Sequence, residues 1–427
     1  MIKLIFKNIW SRRKLNGWLI AELILVTILS WLMLDQVLVT TYDLNLPKGY
    51  DRDNLCVISS YKLDDPGVVN SIHGEITPQD YENIRNKLLT LPEVESIAEC
   101  SFTFPESSGN STRSFYVNDE KSLHVYLMYY YADTGFFETL GVKSAEGYPN
   151  VEDLSKVHTT ENEVIITRSF AESLFPGENA MGKIIRQEKD SDEDAFKVVG
   201  VIEDIRPYSI NREPNAVFCS FDSKINGEGM LNFMVRLKDG IDADDFAENL
   251  IKVKENFGSG ALQIGSAKSL NKCAADWNMD ITGEYNLKFS LLTFFLINLC
   301  IGVVGTFWLQ TRQRKGEVAV MKTFGASRKN IVVMLLGEGF VLTIIGSLIG
   351  FACFLQYAIT EGLYTGNPYG PKDVSSVIDC WVNNFSEHFM IVSGVILVLL
   401  LFVVSIGILI PALNISKINP AVALHDE

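Results

Sequence analysis

The side chains that usually carry chemistry are present in this chain, but their spacing does not assemble a catalytic centre. Five histidines occur, His73, His124, His158, His388 and His425, and none stands in HExxH or another metal-ligand spacing. No GxSxG marks a nucleophile elbow, and no GxxxxGK[ST] is available to cradle a nucleotide phosphate. Glu203 and Asp204 are adjacent acids at the end of a strand-like run, a place where solvated carboxylates are common. The seven cysteines form no CxxC. Cys300 and Cys353 lie in apolar runs. Cys56, Cys100 and Cys219 lie in strand-like runs, where a small buried hydrophobe is the expectation and a disulfide is not indicated. The pattern favours binding or mechanical work over hydrolysis, with no cofactor and no metal held by the chain itself.

One short stretch is organised differently. Residues 314–331 read RKGEVAVMKTFGASRKNI, a basic segment between two long apolar runs. Val318, Met321 and Phe324 recur at three-residue spacing, which predicts an amphipathic helix over residues 316–324. Lys315, Lys322, Arg328 and Lys329 are then left for water or a partner. Gly325 follows, a residue that ends helices by accepting a left-handed backbone. Ser327 suits the N-cap of the next helix. An amphipathic helix held at a membrane surface is a docking element.

The elements around it are membrane spans. The chain has 427 residues, 47% hydrophobic and 21% charged. Apolar runs over residues 18–39, 287–311, 331–359 and 389–413 each suffice to cross a hydrocarbon core roughly 30 Å thick. Five basic residues and no acid lie within residues 1–17, whose Ile2, Ile5, Phe6 and Ile9 mark a helix lying on the cytoplasmic surface. The first span is longer than a signal-peptide core and reads as an uncleaved anchor. The loop at 312–330 is basic and the loop at 360–388 acidic, so both termini fall inside and residues 40–286 outside, with His73, His158 and Cys219 outside and Lys322 and His425 inside. The outside segment carries about −19 formal charge, beyond the whole chain's −15, which argues against nucleic acid and anionic lipid as its partners.

Two β-α-β patterns bracket that outside segment. Residues 54–60 read as a strand and 94–104 as another. Between them a helix runs through residue 90, opened by Thr77 as N-cap, Pro78 at the first helical position and Asp80 in capping-box spacing. Residues 232–238, 242–257 and 261–267 repeat strand, helix, strand. Two such units predict one ferredoxin-like sheet, with residues 105–222 as an inserted, mainly β subdomain. Strands are expected at 163–166, 183–186, 197–202 and 216–221, helices at 134–140 and 168–175. A two-lobed α+β domain follows, with the acidic run 188–194 as a loop. Among the spans, Gly346 and Gly350 form a GxxxG that lets helices approach. Glu22 and Glu338 are ionisable residues inside apolar runs, read as packing or interfacial positions because no line of polar residues builds a conduit.

Three stretches resemble the MacB-like, FtsX-like permeases of ABC transporters. The loop GEVAVMKTFGASRKNI is similar to the family's cytoplasmic motif on Glu317, Val318, Lys322, Gly325, Ala326, Ser327, Arg328 and Ile331. The runs FFETLGVKSAEG, NEVIITRSFAESLFPGENAMGKII and FKVVGVIEDIRPYS resemble its periplasmic core, and PALNISKINPAVAL resembles its C-terminal ending. Thr323-Phe324 stands where the family usually has Ala-Leu. The resemblance implies a permease dimer, homo- or heteromeric, in a bacterial inner membrane, driven by a separate cytosolic ATPase that holds ATP and magnesium. Glu317, Val318, Met321, Lys322, Phe324, Gly325, Ala326 and Ser327 would form the ATPase-coupling interface. The spans would transmit ATP-driven motion to the outer domain for export or efflux, with a periplasmic adaptor and outer-membrane duct as further partners. The alternative is a regulatory, FtsX-like role controlling an extracytoplasmic enzyme.

Overall fold

The computed structural model describes residues 9–11, 13–62, 76–109, 111–116, 122–157, 159, 162–187, 195–212, 214–220, 231–366 and 380–417. The expectations for His73, His158, His425, the surface helix before Ile9, the acidic run 188–194, the boundary near residue 222, and the tail past Lys417 lie outside these residues. The chain divides into two units.

In the first unit, α1 (Arg13–Asn45), α8 (Met279–Gln313), α10 (Arg328–Glu361) and α11 (Phe385–Ser416) are long and apolar enough to cross a membrane. Each exceeds the roughly 20 residues a span needs, so the helices run past the apolar segments at one or both ends. Small residues set their packing. A Cβ on Gly346 would stand 2.7 Å from Leu23 Cβ, and one on Gly350 2.8 Å from Thr27 Cβ, so the GxxxG faces α1. Trp31 of α1 is fully buried, stacks on Phe354 at 4.4 Å and Phe389 at 5.1 Å, and donates its indole N–H to Ser393 Oγ at 3.1 Å. One aromatic therefore ties three helices.

In the second unit the strands are β1 (Leu55–Lys62), β2 (Val94–Cys100), β3 (Thr112–Tyr116), β4 (Ser122–Tyr130), β5 (Glu163–Thr167), β6 (Ile184–Arg186), β7 (Ala195–Ile202), β8 (Ala216–Ser220), β9 (Asn232–Leu237) and β10 (Leu262–Ser269). The helices are α2 (Pro78–Leu89), α3 (Phe136–Leu140), α4 (Val151–Leu154), α5 (Arg168–Leu174), α6 (Ala243–Lys252) and α7 (Leu270–Trp277). Thr77 and Asp80 form a reciprocal capping box at α2, and Tyr81, Ile84 and Leu88 bury its inner face. Asp242 caps α6 by accepting from the N–H groups of Asp244 and Asp245, and Phe246, Ala247 and Leu250 turn inward. Four strands of this unit lie in the order β10-β1-β9-β2, neighbours antiparallel, which is the ferredoxin-like arrangement of two β-α-β units.

The insertion closes on itself. Pairings run β4-β3-β6-β7-β5-β8, and β8 returns to β4 as a parallel neighbour, so the six strands form a ring. Its interior holds Phe115, Val125, Val164, Phe170, Val198 and Val217, all fully buried. Strands β3 and β4 were not expected from the sequence. Nor does the insertion form a separate lobe. Successive β1 residues point to opposite faces: Cys56 and Ile58 pack with α2 and α6, whereas Leu55 and Val57 pack in one cluster with Phe136, Phe137, Ile165 and Phe218. With both faces covered, the expected two lobes share a core.

Candidate functional site

The loop between α8 and α10 contains α9 (Lys315–Thr323). Its C-terminal turn is closed by backbone bonds from Gly325 N–H to Lys322 O and from Ala326 N–H to Met321 O, each 3.0 Å. That pair of bonds needs a left-handed residue at Gly325, whose φ is +92°. Ser327 Oγ then accepts the Asn330 N–H at 3.2 Å and starts α10. The chain reverses within four residues with its helix ends satisfied.

The faces of α9 differ from the expected ones. Val318 and Ala319 are buried, and Val318 belongs to the core of the helix bundle. Phe324, the C-cap, is 88% exposed, and Val320 is exposed beside it. The three-residue spacing had placed Val318, Met321 and Phe324 on one docking face. Three residues subtend about 300° at 3.6 residues per turn, so over six residues the stripe drifts and its ends part. Val318 holds α9 to the bundle and is unavailable to a partner, while Met321, Lys322 and Ala326 are half-buried and Phe324 projects.

Arg314 holds the base of α9. Its guanidinium donates to both oxygens of Glu338 at 2.6 and 2.9 Å and to Glu317 at 3.2 Å. Arg314 and Glu338 are both buried. Glu338, the ionisable residue inside the third span, thus has a cationic partner in the loop. Nearby, Gln310 donates to Asn16 Oδ1 at 3.0 Å, and Asn16 donates to the Ile9 carbonyl at 3.1 Å, tying the start of α1 to the end of α8. The basic character of the loop at 312–330 does not by itself single out Arg314. The available signal was an acid, Glu338, ten residues into α10 and inside its apolar run.

At the other end of the bundle Asp35, buried on α1, bridges two elements. One carboxylate oxygen lies 2.7 Å from His388 Nε2, and the other accepts the Tyr364 N–H at 3.1 Å. His388 Nδ1 lies 3.1 Å from the Val382 carbonyl, which can only accept, so Nδ1 carries a proton.

Within the second unit, Arg206 grips the segment with which that unit begins. It is buried and donates to the carbonyls of Asp43, Leu46 and Pro47 at 2.9, 2.6 and 2.9 Å, and to those of Ser209 and Asn211 at 3.1 and 3.0 Å. Arg212 adds an ion pair to Asp43 at 2.7 Å. The neighbouring acids are occupied as well. Glu203 pairs with Arg168 at 3.0 Å, and Asp204 accepts from the Ser169 N–H at 2.7 Å and from its hydroxyl, capping α5. Burial lifts the Asp204 carboxyl above its usual range despite those bonds. Two acids weighed as catalytic therefore have structural work. Among the described residues no group of three or more His, Cys, Asp or Glu side chains is arranged to hold a metal ion.

Residues 32–253 match the MacB-like periplasmic core domain, and residues 289–420 match the FtsX-like permease C-terminal domain. The chain belongs to the MacB/FtsX-like family of ABC transporter permeases. It is 24% identical over 280 residues to an uncharacterized ABC transporter permease of Methanocaldococcus jannaschii, covering 62% of each chain. It is 23% identical over 282 residues to the macrolide export ATP-binding/permease protein MacB of Neisseria meningitidis, covering 64% of this permease and 41% of MacB. The permease thus spans about three-fifths of the archaeal relative and two-fifths of MacB. The periplasmic region of MacB from Actinobacillus actinomycetemcomitans aligns with 54% of the permease and 95% of that chain, at 18% identity and a TM-score of 0.32.

Proposed function

We propose that this permease transmits ATP-driven motion of a cytosolic ATP-binding subunit through its spans to the outer domain, as a dimer in a bacterial inner membrane, in the service of export. Both termini and α9 lie on the cytoplasmic side in this reading, and an adaptor with an outer-membrane duct completes the path where a second membrane exists. The observation that carries the reading is the division of α9. Val318 and Arg314 fasten it to the bundle through buried contacts, while Phe324 projects at 88% exposure from a turn built by Gly325 and Ser327. A helix so fastened passes a push at Phe324 to α10 without first deforming.

The test is co-purification with the ATP-binding subunit, and its ATP turnover, for Phe324→Ser and Lys322→Glu. Burying a Phe side chain contributes about 2 kcal/mol, so Phe324→Ser should weaken the complex about 30-fold and leave the outer domain's unfolding unchanged. Wild-type affinity and turnover in the double variant would remove the coupling reading.

A further inference from the structure

At the loop end of the bundle a second feature lies beside α9. Trp308, Thr311 and Arg312 of α8, Lys315 of α9, and Asn414 and Ile415 of α11 line a cavity of about 240 Å³. Thr311 and Ile415 are buried and form its floor. Arg312, Lys315 and Asn414 are exposed, and Trp308 is 41% exposed. No acid lines the cavity, and neither Arg312 nor Lys315 has an ion pair among the described residues. Arg314, between them in sequence, is already committed to Glu338 and Glu317. The cavity therefore carries two exposed cations of the loop with no acid among its lining residues.

Its depth indicates what could fill it. The apolar run of α8 ends at Trp308 and Leu309, with Gln310, Thr311 and then Arg312 following, the position at which a span leaves hydrocarbon for headgroups and where Trp and cations collect. One turn toward the bilayer centre, Gly305 is exposed with open space where a Cβ would stand, leaving a smooth strip of helix above the cations. Arg312 offers a forked donor suited to phosphate oxygens, Lys315 a point charge and Asn414 an amide donor. Basic pockets between span ends are suited to anionic headgroups. We propose that this cavity binds the phosphodiester headgroup of an anionic phospholipid, with an acyl chain lying along the strip at Gly305. The inference needs the four helices to lie in a bilayer and does not depend on coupling to an ATPase.

Native mass spectrometry of the delipidated full chain, with phosphatidylglycerol or phosphatidylcholine added back, reads the lipid retained per protomer. Phosphatidylglycerol should be retained in preference to phosphatidylcholine. Each cation near a lipid surface is worth about one kcal/mol, so Arg312→Gln with Lys315→Gln should weaken phosphatidylglycerol about 30-fold and leave phosphatidylcholine unchanged. Arg328→Gln with Lys329→Gln removes the same charge from the loop outside the cavity and should leave retention intact. Arg312→Lys with Lys315→Arg should keep most of it; should the double Gln variant fail to fold, the single Gln variants give the same reading at about fivefold each. Equal retention in wild type and the Gln variants, or equal loss in the Arg328 and Lys329 variant, overturns the proposal. Displacement by excess inorganic phosphate would assign the cavity to a free anion. Displacement on binding of the ATP-binding subunit would assign it to an acidic segment of that partner. Either result overturns the lipid assignment.

Discussion

Replacing Glu338 with Ala attacks the joint beneath α9 directly. Arg314 is 1% exposed and Glu338 4%, and two bonds of 2.6 and 2.9 Å join them. After Glu338→Ala the guanidinium keeps Glu317 at 3.2 Å, an acid whose side chain is 52% exposed and solvated. Breaking one side of a buried ion pair costs about 3–5 kcal/mol, because a charge is left in a poorly polar site. A surface pair is worth about 1 kcal/mol or less. Taking about 3 kcal/mol, the population in which α9 has lifted from the bundle should rise about a hundredfold. Hydrogen exchange read by mass spectrometry on the amides of Lys315–Thr323 measures that population, with the strands of the second unit as internal reference. Arg314→Leu with Glu338→Leu should recover protection to within about tenfold, since replacing both partners with apolar groups removes the desolvation cost as well as the attraction. Exchange raised less than about fivefold by Glu338→Ala, the surface-pair value, would refute the claim that this pair fastens α9. So would a double variant no better protected than the single one.

Three further outcomes are expected. Gly325→Val forces a β-branched residue to φ +92°, at a cost on the order of 1–3 kcal/mol; α9 amides should exchange faster while outer-domain melting stays put, and wild-type exchange would show that the turn tolerates a side chain. Arg206→Lys leaves some of five carbonyls without donors, three of them in buried bonds whose loss costs about 1–3 kcal/mol each, so limited proteolysis should cut residues 43–47 sooner; an unchanged cleavage order would mean the clamp is redundant. Burial raises the Glu106 carboxyl above its ordinary 4.5, outweighing its bonds to Ser209 and the nearby Arg52 and Lys48 charges. The folded form then holds its proton more tightly than the unfolded one, so Glu106 contributes stability below pH 4.5 that is lost as pH rises through the raised value. Denaturant melts of wild type against Glu106→Gln should show the wild type's relative stability falling across that window, and a rise there would contradict the assignment.

Much of this architecture was readable from local pattern. The four spans follow from run length, the capping box from Thr77, Pro78 and Asp80, and the reversal after α9 from Gly325 and Ser327. Each signal lies within a turn or two of the residue it governs, because caps, φ preference and periodicity are short-range physics. The two β-α-β patterns also announced a ferredoxin-like sheet, whose order the structure places as β10-β1-β9-β2. Alternation was less informative in β1 and β9, since both faces are buried over Leu55–Ile58 and over Phe233–Val235 and those runs read apolar without a break. For the same reason the lobes that sequence separated share a core through Leu55, Val57 and Phe218. The closure of β8 onto β4 joins residues some 90 apart and leaves no local trace. The same holds for the pairing of Arg314 with Glu338, 24 residues away, and of Asp35 with His388, 353 away. A sequence shows that a buried charge needs a partner. Which partner it meets, and whether Val318 or Phe324 faces the bundle, depends on how the helices pack, and that packing is set by all the contacting side chains together.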